Sequence, residues 1–223
     1  MDDDEYDIKC DVANMIETVS NNSGITPLKA IKEFSDNSID NGAKQIALIE
    51  RATVDDRWGI ADNGSGMTLS ATKDAFIFAH KRSEVKEGRI GKFGFGLNTS
   101  VHYLSTDDKR ITKTYLVSST GQGEVVLAEY TNHMGKNPKL KLAVFNTTEE
   151  LQDKYKSINI NEGCLEMMPR LDKSGTTIIF PVIIDHWPEL RCSFNKEVPT
   201  IIPKRHERME ATYPRFFGKG GKI

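Results

Sequence analysis

Long apolar runs are missing from this 223-residue chain, as are paired cysteines and a strong charge of either sign. The longest apolar stretch, residues 178–184, contains Pro181 and falls far short of the ~20 residues that span a bilayer. The acidic opening, residues 1–5, has neither the basic start nor the apolar core of a signal peptide, so nothing in it directs export. Cys10, Cys164 and Cys192 are odd in number and far apart, which excludes a disulfide framework and a zinc-ligand pair and fits a reducing, intracellular setting. The formal net charge of −2 gives no global pull towards nucleic acid. His80, His102, His133, His186 and His206 form no metal-site spacing, and there is no internal repeat or low-complexity tract.

What is present reads as one globular domain. Thr26 as N-cap with Pro27 at the first helical position opens a helix whose stop is Asn41-Gly42. Val12, Met15, Ile16 and Val19 mark a shorter helix before it. Alternation over residues 46–50 and 58–62, with a turn near Asp55-Asp56, predicts two neighbouring antiparallel strands. Thr68 caps a helix expected to reach about Ala79; a charged, glycine-punctuated loop fills residues 81–96, and another helix runs to about Leu104. From Arg110 the texture turns to β, with runs at 111–119, 123–131, 139–145 and 175–184 and a short helix over 149–155. Residues 194–209 read as polar and partly helical, and residues 216–223 as a hairpin start whose return strand is missing, as in a truncated chain. Boundaries follow: an acidic extension at 1–8, the main domain at 9–190 and a C-terminal extension at 191–223.

Four segments carry chemistry. On the helix that Thr26 opens, Glu33, Asn37 and Asp40 fall at i, i+4 and i+7 and share one stripe, while Leu28 and Ile31 face inward. A carboxylate and an amide oxygen one turn apart can hold a water and a magnesium ion beside phosphates; a solvated polar stripe is the alternative. Asp62 ends a strand on the face of Trp58 and Ile60. There it needs a partner such as an adenine amine, with Gly64 and Gly66 letting the backbone approach a flat base; a plain Asp-Asn-Gly-Ser-Gly turn is the alternative. Gly91, Gly94 and Gly96 precede a helix and can aim backbone N–H groups at phosphates, with Lys81, Arg82, Lys86, Arg89 and Lys92 adding positive charge or forming a solvated loop face. The glycines are not a dinucleotide fingerprint, because no strand runs into them, and not a P-loop, because Lys92 precedes Phe93. Gly175-Thr176 opens the last apolar run.

Residues 33–40, 62–67, 91–96 and 175–176 resemble, in order and rough spacing, the boxes of the GHKL ATPases. That superfamily includes gyrase B subunits, ninety-kilodalton heat-shock chaperones, sensor histidine kinases, MutL and, nearby, the Microrchidia (MORC) ATPases. The resemblance covers residues 10–185 and implies an α+β, two-layer Bergerat fold: a mixed, mostly antiparallel sheet covered on one face by helices, with ATP beneath a lid. It implies Glu33 as catalytic base, Asn37 as magnesium ligand, Asp62 as adenine-binding carboxylate, and Gly64 and Gly66, with Met67 closing the motif, as the supporting turn. Gly91, Gly94 and Gly96 match the phosphate-contacting lid glycines, with Lys92, Phe93 and Phe95 between them, and Thr176 matches the threonine that fixes adenine through a water. Asp36 and Asp40 match acidic positions of the same helix.

The wording of the motifs is nearer to gyrase, heat-shock and MORC-like members than to histidine kinases, and residues 1–32 hold no phosphoacceptor His. In those relatives a second domain supplies a lysine to the γ-phosphate. The expected function is thus a magnesium-dependent ATPase, slow on its own, in which lid closure controls dimerisation or engagement of a DNA or protein partner. The alternative is a nucleotide-sensing module that needs another chain for turnover. Direct nucleic-acid binding through Lys204, Arg205, Arg208, Arg215, Lys219 and Lys222 is a third reading; Glu207 and Glu210 interrupt that patch and favour a solvated helix.

Overall fold

In a computed structural model, the described residues are 25–49, 57–77, 96–105, 112–133, 136–158 and 168–180, with the single positions Asn14, Met15, Thr18 and Leu165. The lid residues Gly91 to Phe95, the three cysteines, the Asp55-Asp56 turn and both extensions lie outside them, as does most of the expected first helix.

Helix α1 (Pro27–Asp40) starts where its cap chemistry dictates: the Thr26 hydroxyl accepts a hydrogen bond from Lys29 N–H at 3.2 Å, and proline occupies the first turn. It stops at Asn41, and Gly42 follows at φ 77°. Strands β1 (Ile46–Ile49) and β2 (Trp58–Asp62) pair antiparallel. Helix α2 (Leu69–Ala75) is capped by the Thr68 hydroxyl but ends four residues before the expected Ala79. Two contacts account for the early stop. The buried Asn98 amide of helix α3 (Gly96–Leu104) donates to the Ala75 and Ile77 carbonyls, and Phe76 turns to stack on Tyr130 with ring centroids 6.0 Å apart.

Strands β3 (Thr112–Ser119), β4 (Val125–His133) and β5 (Lys136–Phe145) form a meander, followed by helix α4 (Thr148–Ser157) and strand β6 (Gly175–Phe180). β5 begins three residues before the expected 139 despite Pro138. As an edge strand paired only with β4, it tolerates a residue without an N–H. The six strands lie in the order β1-β2-β6-β3-β4-β5, and every strand pairing described is antiparallel. β6, last in sequence, fills the middle and joins β2 to β3.

Alternation along the strands sends side chains to two cores. Ile31 and Phe34 of α1, and Val101 and Leu104 of α3, pack on Trp58, Ile60, Leu116, Ile178 and Phe180. On the opposite face Leu151 and Tyr155 of α4 cover Val117, Leu127 and Ile179. The α+β class and the helical layer are as expected, with α4 added on the second face. Phe180 is fully buried beneath α1 and α3. Phe180→Ala is expected to lower stability by about 3–5 kcal/mol, measured by urea unfolding.

Candidate functional site

The ends of β2, β6 and β3 meet beneath the C-terminal half of α1, and three expected positions converge there with one that no motif contained. Asp62 and Thr176 are cross-strand partners, and Thr176 is in turn partnered with Ser118. Asp62 points to the helical face and is half-buried. Its Oδ2 accepts from the Ser38 hydroxyl at 2.8 Å, and its Oδ1 from Gly64 N–H at 2.8 Å. Burial pushes the Asp62 carboxyl above its ordinary value of 3.8, opposed by hydrogen bonds from Gly64, Ser38 and the Thr176 backbone.

Ser38 sits 2.8 Å from Asp62 and 2.9 Å from the Phe34 carbonyl, with one hydroxyl proton to give. When Asp62 is ionised the proton belongs to the carboxylate; when Asp62 is protonated, Ser38 can accept from it and donate to Phe34. The serine therefore suits either state of its neighbour.

The turn after Asp62 is held from three sides. Asn63 Oδ1 accepts from the backbone N–H groups of Lys44 and Gln45 at 2.9 and 2.8 Å, and Ser65 N–H donates to the Asn41 carbonyl at 3.0 Å. Met67 N–H donates to Ser118 Oγ at 2.8 Å. Gly66 adopts φ 67°, and a Cβ there would drive into the Ser119 carbonyl, so the close approach requires glycine.

Glu33, Asp36, Asn37 and Asp40 are half-buried on α1. This stripe is not simply solvated, because the Glu33 carboxylate lies against Gly96 at the N-terminus of α3, where a Cβ would collide with it. Burial, and secondarily Asp36, raise the Glu33 carboxyl above its ordinary 4.5, while Lys32 pulls the other way. Among the described residues no three His, Cys, Asp or Glu side chains gather into a metal cage. The oxygens present, chiefly that of Asn37, suit an ion that draws most ligands from water and phosphate, as magnesium does. Gly96 is the one lid glycine described; Gly91, Lys92, Phe93, Gly94 and Phe95 lie outside the described residues.

Residues 25–157 match the family model of the histidine kinase-, DNA gyrase B- and HSP90-like ATPases. The chain belongs to this family. It is a GHKL ATPase domain, and that family implies ATP binding, usually with magnesium. It is also similar to Protein MICRORCHIDIA 5 of Arabidopsis thaliana, at 24% identity over 183 residues, covering 68% of this chain and 26% of that protein. The chain thus spans about a quarter of that relative's length.

Solved structures similar to this GHKL domain include the N-terminal domain of a DNA repair protein, at 19% identity and TM-score 0.43, covering 85% of this chain and 45% of that one. The ATPase and transducer domains of DNA topoisomerase II from Balamuthia mandrillaris match at 12% identity and TM-score 0.45, covering 69% and 36% of the respective chains. The ATPase region of Saccharomyces cerevisiae topoisomerase II matches at 14% and 0.44, covering 74% and 43%. None of the described helices is long and apolar enough to cross a membrane.

Sequence reasoning missed Ser38, Asn63 and Ser118. Ser38 and Asn63 stood inside quoted motifs, and the helical and turn positions that bring them to Asp62 and to the Lys44 and Gln45 amides were the available signal. Ser118 had none, being one of two serines in a β run.

Asp62 yields a linkage prediction. The folded chain holds the Asp62 proton to higher pH than the unfolded chain, so its contribution to stability is full in acid and is lost as pH rises through the elevated folded value. In Asp62→Asn the amide can accept from Gly64 and donate to Ser38, which passes its proton to Phe34. Without ligand this variant is expected to melt at or above the wild-type temperature at pH 8, the difference closing towards pH 4; calorimetric scans across that range measure it.

Proposed function

We propose that this domain binds ATP through the Asp62 site and hydrolyses it slowly. The observation that carries the reading is the half-buried Asp62 carboxylate, held as a hydrogen-bond acceptor by Ser38 and Gly64 beside the Thr176 hydroxyl. Asp62 takes the adenine amine, Thr176 fixes the base through a water, and Gly64, Gly66 and Met67 shape the turn against which a flat ring lies. Phosphates run towards α1 and the N-terminus of α3, where the helix dipole favours anions. Gly91, Lys92, Phe93, Gly94 and Phe95 are assigned to the phosphate side by family resemblance.

Asn37 is the residue that would hold magnesium, an ion that needs few ligands from the protein. Magnesium, when bound, supplies charge neutralisation to the phosphate chain. Glu33 orients the attacking water and takes its proton as the water oxygen bonds to the γ-phosphorus and the bond to the ADP oxygen breaks. A carboxyl raised by burial is a stronger base at neutral pH than an exposed one. ATP then acts as a switch: lid closure over the γ-phosphate promotes dimerisation or engages a DNA or protein partner, and hydrolysis releases it. This extension rests on family membership and on the resemblance to gyrase, heat-shock and MORC-like members.

Calorimetric titration with a non-hydrolysable ATP analogue and magnesium tests the site. Saturable binding is expected in the wild type, with loss of at least about tenfold in Asp62→Asn; a folded wild-type chain that binds nothing overturns the reading. Glu33→Gln is expected to bind as the wild type does while turnover drops by about 10²–10⁴-fold. Equal turnover in the two would point to the module that borrows its catalysis from another chain. Wild-type turnover should climb with pH through a midpoint above 4.5, the ordinary value for Glu33.

A further inference from the structure

The sheet ends in two unlike edges. β1 is four residues long, and its Ile46, Ala47 and Ile49 are buried. β5 runs for ten residues and, among the described residues, pairs only with β4. Alternate backbone N–H and C=O groups of an edge strand point away from its neighbour and form a template for one more strand. Pro138 has no N–H to give, so the usable stretch of β5 is residues 139–145.

That stretch has an apolar face and a basic one. Leu142 lies opposite Ala128 and packs on the core beneath α1 and α3, which places Leu140 and Val144 on the same face. Leu140 is one of two large apolar side chains exposed among the described residues, the other being Ile77. Lys139 and Lys141 alternate to the α4 face, and both are exposed. Lys141 lies opposite Glu129, but Lys113 already holds the Glu129 carboxylate at 2.8 Å. Neither Lys139 nor Lys141 has an ion pair with another described residue. The edge thus combines main-chain hydrogen-bonding groups, apolar contact on one side and unmatched positive charge on the other.

We propose that the β5 edge is a docking site for an extended peptide segment of another protein in which acidic and apolar residues alternate. Such a segment adds a further strand to the sheet, with its acids beside Lys139 and Lys141 and its apolar residues beside Leu140 and Leu142. Neighbouring strands interact through side-chain pairs on the same face, so the alternation in the peptide has to match that of β5. Charge also decides between occupants. A second copy of this chain paired edge to edge in close overlap sets lysine against lysine, which is destabilising. A nucleic acid answers the lysines and leaves Leu140 and the main-chain groups unused. β3 and β4 separate this edge from β6 and Thr176, so the inference stands without the nucleotide reading.

The test is fluorescence anisotropy on the whole chain at low salt, with a labelled peptide of alternating glutamate and valine about six residues long, a common strand length. Saturable binding is expected, weakened at least about tenfold by the double substitution Lys139→Glu and Lys141→Glu. A peptide alternating lysine and valine should bind that variant in turn. Both positions are exposed, so the variant is expected to fold. In exchange experiments read by NMR, alternate amides within 139–145 should exchange fast in the chain alone and slowly once peptide is added. Equal binding by a peptide that carries its glutamates and valines in separate blocks, or equally tight binding of a duplex oligonucleotide, reduces the surface to a charged patch and overturns the proposal. It falls likewise if no peptide binds, if the double variant keeps its affinity, or if all the edge amides exchange slowly before peptide is added. A dimer in sedimentation that the double substitution breaks would assign the edge to a second copy instead.

Discussion

The bond between the Asp62 carboxylate and the Ser38 hydroxyl joins helix α1 to the sheet through a polar contact. Elsewhere α1 meets the strands through Ile31 and Phe34, contacts that tolerate small slips because apolar packing has no preferred direction. A hydrogen bond to a half-buried carboxylate has direction. It fixes the rotation of α1 about its axis, and with it the height at which Glu33 and Asn37 stand above the strand ends. The Gly64 N–H does the same for the turn on the other oxygen. Helix, strand and turn are thus registered against a single charged group whose burial is unfavourable on its own.

Glycine solves the steric half of the same problem. At Gly66 the turn touches the Ser119 carbonyl, and at Gly96 the start of α3 touches Glu33. Each contact replaces a side chain with direct approach of backbone to a functional neighbour. The elements around the site are consequently closer together than ordinary side-chain packing would permit, and polar groups from four separate chain segments fall within a few bonds of one another.

Much of this was legible in the sequence because it is local. Thr26-Pro27 and Thr68 announce helix starts through cap chemistry, and Asn41-Gly42 announces a stop; all three stand as read. The strand alternation that put Asp62 on the face of Trp58 and Ile60 also held. What escaped was set by tertiary contact. α2 stops short because Asn98, far along the chain, takes its last carbonyls. β5 extends through Pro138 because it is an edge strand, a property of the sheet that Pro138 cannot announce. Ser118 matters only because β3 and β6 lie side by side, and no periodicity within β3 distinguishes it from Ser119. The family match covers residues 25–157 and so stops short of Thr176, the most distant member of the cluster.

The position of β6 has a consequence for how the domain comes into being. β2 and β3 are separated until this strand slots between them, so the cradle around Asp62 and Thr176 closes only through contacts spanning more than half the chain. During synthesis the motif helix and the glycine turn emerge early, but they face an unfinished sheet until residues 175–180 arrive. Such long-range closure is entropically costly and kinetically late. The pairing of Asp62 with Thr176 then depends on β6 being in place between β2 and β3.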